Sequence, residues 1–380
     1  MIFDFTEEQL MIQQTAREFA QEEIAPSTIQ RDIDATFPTT IVPKLGELGF
    51  LGMMVPPEHG GSGLDCVSYV LAMIEISKVD ASVGVIMSVN NSLVCYGLEK
   101  YGSPAQKEKY LAPLASGKVI GAFCLSEPEA GSDATHQTTT ADFKDGYWYL
   151  NGMKNWITNG QSSTYYLVMA QTDQEKKHKG VTTFLVEKGM PGFDQGKKED
   201  KLGIRSSDTC SLSFANTPVP QENVIWDVGK GFNFAMDTLN GGRIGIAAQA
   251  LGIAEASLDA AIKYSHERKA FGKPIADLQA IQFKLADMAT NLEAAKLLTI
   301  RAAAMKDAGK HYVKEAAMAK LYSSRVAVQC ALEAIQIHGG YGYVREYLVE
   351  RYLRDAKITE IYEGTSEIQH IVIARELLKA

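Results

Sequence analysis

Eleven of the twelve prolines lie at or before Pro220, and only Pro274 follows them. A proline inside an α-helix costs about 3 kcal/mol, because it lacks a backbone N–H and its ring clashes with the preceding turn. The stretch from residue 221 to residue 380 can therefore hold long helices.

The composition is that of an ordinary globular protein that needs no disulfide or metal to hold a core. The chain has 380 residues, 46% of them hydrophobic and 22% charged. At roughly 100–200 residues per domain, two to four domains or one composite domain are expected. The net charge of -8 argues against a general nucleic-acid binder but allows an anionic small ligand. The five cysteines form no C-x-x-C pair, so we expect them to be reduced and buried.

The sequence gives no sign of export or membrane insertion. The first residues, MIFDFTEEQL, lack the basic region and apolar run of a secretory signal. No uninterrupted apolar run of 18 residues exists, so no membrane span is expected. We therefore expect a cytoplasmic enzyme or binding protein.

The chain divides into three segments of different texture, which predict an α+β protein. Residues 1–118 show helical spacing of apolar residues, with a helix start at Thr6. Residues 119–225 carry short β-branched and aromatic runs separated by turn dipeptides, including Asp145-Gly146 and Asn151-Gly152, and predict an antiparallel β-sandwich or barrel. Residues 226–380 predict a bundle of long helices, two of them near 276–308 and 312–337. The predicted strands are residues 119–125, 147–150, 156–158, 165–170, 181–186 and 210–214.

Several common catalytic signatures are absent from the sequence. It contains no G-x-G-x-x-G after a strand and no P-loop, so neither a Rossmann unit nor a P-loop nucleotide site is indicated. It has no H-E-x-x-H, no Cys/His cluster at metal spacing and no G-x-S-x-G. No metal site is therefore expected, and hydrolase and NAD-dependent functions are disfavoured.

Two stretches of the β segment have the composition of a ligand site. Residues 124–133 bring Ser126, Gly131 and Ser132 into one loop, where hydroxyls and free amides can hold a phosphate or a ring edge. The alternative is a plain polar loop. Further on, Trp156 and Thr158 are two residues apart in a strand, so they share one face and can form a stacking wall with a donor. The alternative is a core tryptophan beside a surface threonine.

Three stretches of the C-terminal segment are also candidates. Arg268 ends a long helix, where a cation either binds a phosphate or simply complements the helix dipole. Residues 336–343 hold three glycines, which allow a ligand to approach the backbone closely, although His338 there is expected to be packed. Glu363 precedes Gly364 at a helix break, where a carboxylate can reach into a cleft as a general base or remain a surface glutamate.

Together these stretches resemble the acyl-CoA dehydrogenase family of flavoenzymes, in particular its short-chain (butyryl-CoA) branch. The resemblance covers essentially the whole chain, in the order helical domain, antiparallel β domain, four-helix-bundle domain. One family signature fits residues 124–133 and departs at His136, and a second fits residues 336–355 throughout. The second is a long gapped pattern, so its agreement is specific.

The resemblance implies FAD as the cofactor, bound without a Rossmann unit. It places one group of residues around the flavin and pyrophosphate, and a second group, partly from a neighbouring subunit, around the adenosine half. A site shared between subunits implies a homo-oligomer, usually a tetramer. The first group is Phe123, Cys124, Leu125, Ser126, Gly131, Ser132, Trp156, Ile157 and Thr158. The second is Arg268, Phe271, Gln279, Gln336, Ile337, His338, Gly339, Gly340, Thr365, Ser366 and Glu367.

The resemblance also implies the reaction, a step of fatty-acid β-oxidation. Glu363 would remove the α-proton of an acyl-CoA thioester while the β-hydride passes to flavin N5, and an electron-transfer flavoprotein would accept the electrons. Some branches carry the base at the position of Gly242, which is empty here, so Glu363 is favoured. The implied substrate contacts are Ser132, Asn240, Gly241, Gly242, Arg243 and Gly364. Asn240 stands where related sequences often have aspartate.

Other functions are also compatible with this sequence. The same fold also carries acyl-CoA oxidases, desulfinases and dehydrogenases for branched-chain, cyclic or aromatic-ring acyl-CoA. A non-catalytic helical scaffold is the hypothesis from another class, and the retained Glu363, Arg268 and glycine loop argue against it. Acyl chain length depends on pocket depth, and either oxidation or enoyl-CoA reduction can be the physiological direction.

Overall fold

The computed structural model describes residues 4–379. Its N-terminal part is helical, and Thr6 caps the first helix by accepting a hydrogen bond from Gln9 N while the Gln9 side chain accepts one from Thr6 N. Three π-helical turns join successive helices, at Ala20–Ile24, Val89–Cys95 and Lys107–Leu111. The α-helices are α1 (Glu7–Phe19), α2 (Ala25–Asp34), α3 (Ile41–Glu47), α4 (Cys66–Val79), α5 (Ala81–Ser88), α6 (Tyr96–Tyr101), α7 (Pro104–Gln106) and α8 (Ala112–Ala115).

The middle part forms a sheet in which most neighbouring strands are antiparallel. The strands are β1 (Gly121–Cys124), β2 (Thr140–Lys144), β3 (Tyr147–Thr158), β4 (Tyr165–Gln171), β5 (Val181–Glu187), β6 (Phe193–Lys198), β7 (Thr209–Pro220) and β8 (Val224–Ile225). Their order is β6-β7-β3-β2-β4-β5-β8, and β1 adds to β4. β1 lies parallel to β4, and β2 meets β4 in parallel at one residue pair, so the sheet is mixed rather than purely antiparallel. The intervening strands supply the long connection that a parallel pair requires.

The turn prediction was right at Asp145-Gly146 and wrong at Asn151-Gly152. Asp145 and Gly146 both have positive φ (51° and 85°) and join β2 to β3, as a tight hairpin requires. Asn151 and Gly152 instead lie inside β3, which continues through them to Thr158. The pairing of β3 with β7 shifts register between Leu150 and Gly152, so the dipeptide marks a bulge rather than a turn.

The C-terminal part is a bundle built around one very long helix. The helices are α9 (Gly231–Glu267), α10 (Gln279–Asp307), α11 (Val313–His338), α12 (Val349–Ile358) and α13 (Ser366–Leu377), with a short hairpin of β9 (Lys269–Ala270) and β10 (Lys273–Pro274) after α9. The two long helices predicted near 276–308 and 312–337 are confirmed to within a few residues. Residues 241–254 of α9 are buried on every side between α4, α5, α10 and α11.

Two helical stretches satisfy a length and hydropathy test for membrane spans. They are Ala81–Tyr101 and Gly231–Glu267, and 94% and 78% of their most apolar windows are buried inside the protein. Burial of this extent is typical of the central helices of a large core. The α+β class and the order of helices, sheet and helices are confirmed. The limits at 118/119 and 225/226 stay predictions, and the outer limits at residues 1 and 380 lie outside the described residues.

Asn90 joins the N-terminal helices to the sheet. Its side chain is fully buried, its Nδ2 donates to Leu51 O at 2.8 Å and to Leu114 O at 3.1 Å, and its Oδ1 accepts from Gly121 N at 3.0 Å. All three partners are backbone groups. One amide therefore fixes the start of β1 relative to the helices.

We expect Asn90→Leu to destabilise the protein strongly. Leucine has a similar shape but leaves Gly121 N without its acceptor and removes one donor each from Leu51 O and Leu114 O, which costs about 2–4 kcal/mol. Thermal unfolding of the purified protein should show a midpoint several degrees lower. Gln30→Ala, which removes an exposed hydrogen bond to Asp34, is the control and should change stability by less than about 0.5 kcal/mol. Equal midpoints for the two variants would contradict this role for Asn90.

Candidate active site

Glu363 lies on a sharp turn between α12 and α13. Its φ is 53° and that of Gly364 is 92°, so two consecutive residues are in the left-handed region, which is costly for the glutamate. The turn is held by two donors to Gly364 O, Lys320 Nζ at 2.7 Å and Gln369 Nε2 at 2.8 Å. Thr365 then caps α13 by accepting from Ile368 N. The carboxylate is therefore presented by a turn that several side chains fix.

The carboxylate of Glu363 lies against α9 at Gly242. A Cβ added to Gly242 would come within 2.1 Å of Glu363 Oε2 and 2.8 Å of Leu93 Cδ2. No other residue type would leave that space, because every other side chain begins with a Cβ. Gly242 was predicted to be the position at which some branches carry the base. In this structure it provides the space in which the Glu363 carboxylate lies.

The surroundings of Glu363 favour proton uptake near neutral pH. Its Oε2 is buried and has no hydrogen-bond partner within the described residues. Burial raises the pKa of Glu363 to about 7, and the charges of Lys320 and Arg243 oppose that rise. Neither cation lies within ion-pair distance of it in residues 4–379. A desolvated carboxylate with a free oxygen can accept a proton from a bound molecule.

Arg243 and Asn240 form a pair on the same part of α9. Arg243 is 5% exposed, and its Nη1 donates to Asn240 Oδ1 at 2.6 Å. Burial lowers the pKa of Arg243 to about 10, which the nearby Glu363 opposes. The structure thus brings Asn240, Gly242 and Arg243 together with Glu363. Asn240 meets the arginine directly, where an aspartate would form an ion pair.

The strand residues predicted to face a cofactor differ in exposure. Trp156 is 62% exposed and has a φ of 60°, at the second register shift between β3 and β7. Ile157 is buried in the core of the sheet, and Thr158 is half-buried. The bulge therefore places an indole ring at the surface, two residues before a half-buried hydroxyl. Only the main chain of Ile157 is available to a ligand.

The loop after β1 is open at its far end. Cys124 and Leu125 are buried, Phe123 and Ser126 are half-buried, and Gly131 and Ser132 are exposed. A Cβ added at Gly131 would meet nothing within 4 Å. Phe123 stacks near Phe234 of α9, with ring centroids 6.4 Å apart. Phe234 precedes Gly242 by two helical turns, or about 12 Å along the axis, so the loop and the carboxylate adjoin the same helix.

A buried ion pair behind this loop was missed by the sequence analysis. Lys154 Nζ lies 2.7 Å from Glu127 Oε1, and both side chains are at most 1% exposed. The ammonium also donates to Leu125 O at 3.2 Å and to Gln137 Oε1 at 3.1 Å. The pair ties the loop to β3 just before the Trp156 bulge. The available signal was a lysine at an inward-facing strand position, which requires a buried partner.

A third group, which consists of the predicted adenosine-binding residues between 268 and 340, lies at the ends of α9, α10 and α11. The exposed members are Arg268, Phe271, Gln279, Gln336, Gly339 and Gly340. Phe271 is 91% exposed, and Arg268 lies over the ring of Tyr341. Within residues 4–379 no hydrogen bond or ion pair joins this group to Glu363 or to Trp156. The group therefore forms a separate surface, as expected if it contacts a neighbouring subunit.

Two residues of the third group are buried, and the residues after Glu363 continue the active-site turn. Ile337 and His338 are each 5% exposed, and His338 stacks on Tyr264 with ring centroids 4.1 Å apart. The expectation that His338 is packed is confirmed. Of the residues that follow the turn, Ser366 has a buried Oγ with no partner among residues 4–379, and Glu367 is exposed.

The donor set fits a flat cofactor that carries phosphates. It includes an exposed indole, the hydroxyls of Ser126, Ser132 and Thr158, and bare backbone at Gly131. Gly339 and Gly340 likewise would have nothing within 4 Å of an added Cβ, so a ligand can approach their backbone. No group of three or more metal-ligating side chains is found in residues 4–379. All five cysteines are free and buried, which confirms that expectation.

Comparison with known proteins gives matches along almost the whole chain. Models of the acyl-CoA dehydrogenase N-terminal, middle and C-terminal domains match residues 6–118, 122–217 and 229–378. The mouse protein named short-chain specific acyl-CoA dehydrogenase, mitochondrial, is 54% identical over 370 residues, which cover 97% of this chain and 90% of the mouse protein.

Solved structures match equally closely. Butyryl-CoA dehydrogenase from Megasphaera elsdenii has a TM-score of 0.98 at 46% identity, with complete coverage of both chains. A chain from a structure described as the electron transferring flavoprotein of Acidaminococcus fermentans has a TM-score of 0.99 at 50% identity, again with complete coverage. A PigA structure with FAD and proline has a TM-score of 0.96 at 30% identity and covers 99% of each chain.

We expect Glu363→Gln to stabilise the protein at pH 8 but not at pH 5. In the folded protein the pKa of this carboxyl is raised from 4.5 to about 7, whereas the unfolded chain ionises at the ordinary value. The wild type therefore loses stability as pH rises from 4.5 to 7, by up to about 3 kcal/mol, and the amide variant does not.

Thermal midpoints at the two pH values measure this difference. Glu22→Gln, at an exposed glutamate of the first π-helical turn, is the control and should follow the wild type at both. A Glu363→Gln variant that is no more stable than the wild type at pH 8 would show that the carboxylate is not desolvated.

Proposed function

Because the chain belongs to the acyl-CoA dehydrogenase family, we propose that it oxidises the α,β-bond of a short-chain acyl-CoA thioester to the trans-2-enoyl-CoA. Electrons then pass to an electron-transfer flavoprotein. The observation that carries this proposal is the Glu363 carboxylate, seated over Gly242 with a free buried oxygen. The names of the mouse and Megasphaera relatives support the short-chain substrate.

Glu363 is the proposed base that removes the α-proton. A general base works best when its pKa lies near the operating pH, and burial brings that of Glu363 to about 7. The turn held by Lys320 and Gln369 fixes the direction of the carboxylate, so little reorganisation is needed when the proton moves. In our proposal the backbone N–H of Glu363 donates to the thioester oxygen, on which negative charge develops as the α-proton leaves.

FAD is the cofactor of this family, and the residues present fit it. When bound, FAD supplies the acceptor for the two electrons that leave the substrate's β-carbon. In our proposal Trp156 and Thr158 line the flavin, and Ser126, Gly131 and Ser132 hold the pyrophosphate region. The third group, from Arg268 to Gly340, binds the adenosine half of the cofactor in a neighbouring subunit. Thr365, Ser366 and Glu367 complete that cradle.

The packing of α9 supports a short acyl chain. Gly242 and Gly245 are three residues apart and so lie on one face of the helix. A Cβ added at Gly245 would meet Ser88 Oγ at 2.5 Å and Tyr69 Oη at 2.6 Å. Leu93 closes the space beside the carboxylate itself. In our proposal this close packing limits the depth of the acyl site next to Glu363, which favours four carbons over sixteen.

We also propose a cytoplasmic homotetramer. Phe271, Tyr343 and Phe283 are 91%, 88% and 60% exposed, and large apolar side chains left uncovered at one end of a bundle are typical of an interface between subunits. Because Arg268 and Gln279 lie on that surface, assembly would complete the cofactor site. Analytical ultracentrifugation and the FAD content of a Phe271→Glu variant test this arrangement together.

We expect butyryl-CoA to bleach the flavin absorbance of the purified holoenzyme under anaerobic conditions. Glu363→Gln should bind the thioester but bleach at least about 1000-fold more slowly, because no group then accepts the α-proton. A panel of acyl-CoA thioesters from C4 to C16, with branched and cyclic chains, should show the highest kcat/KM at C4. Bleaching of the variant at the wild-type rate would refute the role of Glu363. Rapid reoxidation by oxygen would indicate an oxidase.

We expect Gly242→Ala to lower kcat/KM about 100-fold while FAD stays bound. The added methyl group needs the space of Glu363 Oε2, so the carboxylate must move, and a displacement of about 1 Å can cost a factor of about 100. Gly241→Ala is the matched comparison, since the nearest atom to its added Cβ would be Lys306 Nζ at 3.5 Å. Its kcat/KM should fall less than that of Gly242→Ala. Equal losses in the two variants would contradict this explanation.

A further inference from the structure

Lys320 is a buried lysine with no counter-ion in contact among the described residues. It lies on α11, its side chain is fully buried, and no carboxylate of residues 4–379 lies within ion-pair distance of its ammonium. Burying an ammonium group is costly unless hydrogen bonds and opposite charges compensate. A buried lysine of this kind therefore needs a specific explanation.

The ammonium of Lys320 contacts the turn that carries Glu363. Its Nζ donates to Gly364 O at 2.7 Å, and Gln369 Nε2 donates to the same oxygen at 2.8 Å. Gln369 Nε2 also lies 3.4 Å from Glu363 O. Since Glu363 and Gly364 both have positive φ, the turn needs such contacts to persist. Lys320 thus holds the peptide group directly after the proposed base.

The charges around Lys320 come from two helices, α9 and α13, and from the turn itself. Burial lowers the pKa of Lys320 to about 8, and Arg243 of α9 adds to that lowering. Glu363 and Glu360 on the turn side and Glu367 of α13 oppose it, Glu363 most strongly.

Glu363 in turn faces two cations and two phenols. Burial raises its pKa to about 7 against the opposing charges of Lys320 and Arg243. Its own charge adds to the raised pKa values of Tyr69 on α4 and of its neighbour Tyr362. Both phenols are therefore neutral near pH 7, and the cations are the groups that set the charge of this pocket.

We propose that Lys320 is a positioning residue for Glu363, which fixes the catalytic turn through Gly364 O and favours the ionised form of the Glu363 carboxylate through its charge. This inference rests on the proposed function, because it assigns a helper to the proposed base. Arg243 supplies the second positive charge but donates to Asn240 rather than to the turn. Lys320 therefore combines two roles that Arg243 does not.

Two substitutions separate the hydrogen bond from the charge. Lys320→Gln keeps a donor but removes the charge, and Lys320→Met removes both. We expect the acid limb of the kcat/KM profile for butyryl-CoA to move upward by about one pH unit in both variants, since a nearby cation favours the carboxylate. At pH values above that limb, the kcat of Lys320→Gln should stay within a few-fold of the wild-type value. The kcat of Lys320→Met should fall roughly 10- to 100-fold, because the turn is no longer fixed.

Lys314→Gln is the matched control. It removes a lysine of the same helix, paired at 3.7 Å with Glu315 and distant from the turn, and should leave the acid limb and kcat unchanged. Thermal midpoint and FAD content show that each variant is folded and loaded. Lys320→Arg keeps the charge and should retain the wild-type acid limb, which provides a test even if the neutral variants fail to fold.

The outcomes distinguish this inference from the proposed function. A folded, FAD-loaded Lys320→Gln or Lys320→Met with the wild-type acid limb overturns the role of Lys320. If the acid limb of Lys320→Arg moves upward as far as is expected for the neutral variants, that result also overturns the role of Lys320. Failure of the wild type to oxidise any acyl-CoA refutes the proposed function instead, whatever the variants do.

Discussion

The contact between Glu363 and Gly242 is the constraint on which the rest of the C-terminal part depends. A carboxylate can occupy that place only if α9 has no side chain there, and a Cβ would come within 2.1 Å of it. The same contact removes the carboxylate from water, which raises its pKa to about 7. The raised pKa of Glu363 and the strain of its backbone therefore have one origin. Glu363 has positive φ and is held against the part of α9 that is buried on every side.

Buried cations support this arrangement on both sides of the proposed site. Lys320 holds the turn of Glu363 through Gly364 O, and Lys154 holds the loop after β1 through Leu125 O. Lys154 has a direct partner in Glu127, whereas Lys320 has none at ion-pair distance among the described residues. That difference is consistent with a structural role for Lys154, whereas Lys320 sets the charge of the pocket around Glu363.

The sequence predicted most of the secondary structure because its local signals are strong. Helix periodicity and the scarcity of prolines located α10 and α11, and the Asp145-Gly146 dipeptide located a hairpin. The errors came where a local signal has two meanings. Asn151-Gly152 suits a turn or a bulge, and pairing with β7 decided for the bulge. Strands β2 and β6 were missed because polar residues such as Asp142 and Lys197 interrupt their hydrophobic pattern.

By itself the sequence determined that Glu363 follows a helix and precedes a glycine, and that Gly242 has no side chain. It also supplied the pattern that resembles a family, which the comparisons then confirmed. Only the tertiary structure decided that these two residues meet, that Lys320 lies beside the turn, and that Arg243 is buried with Asn240. The physical reason is that desolvation and charge coupling depend on atoms from distant parts of the chain, which no local pattern of residues records.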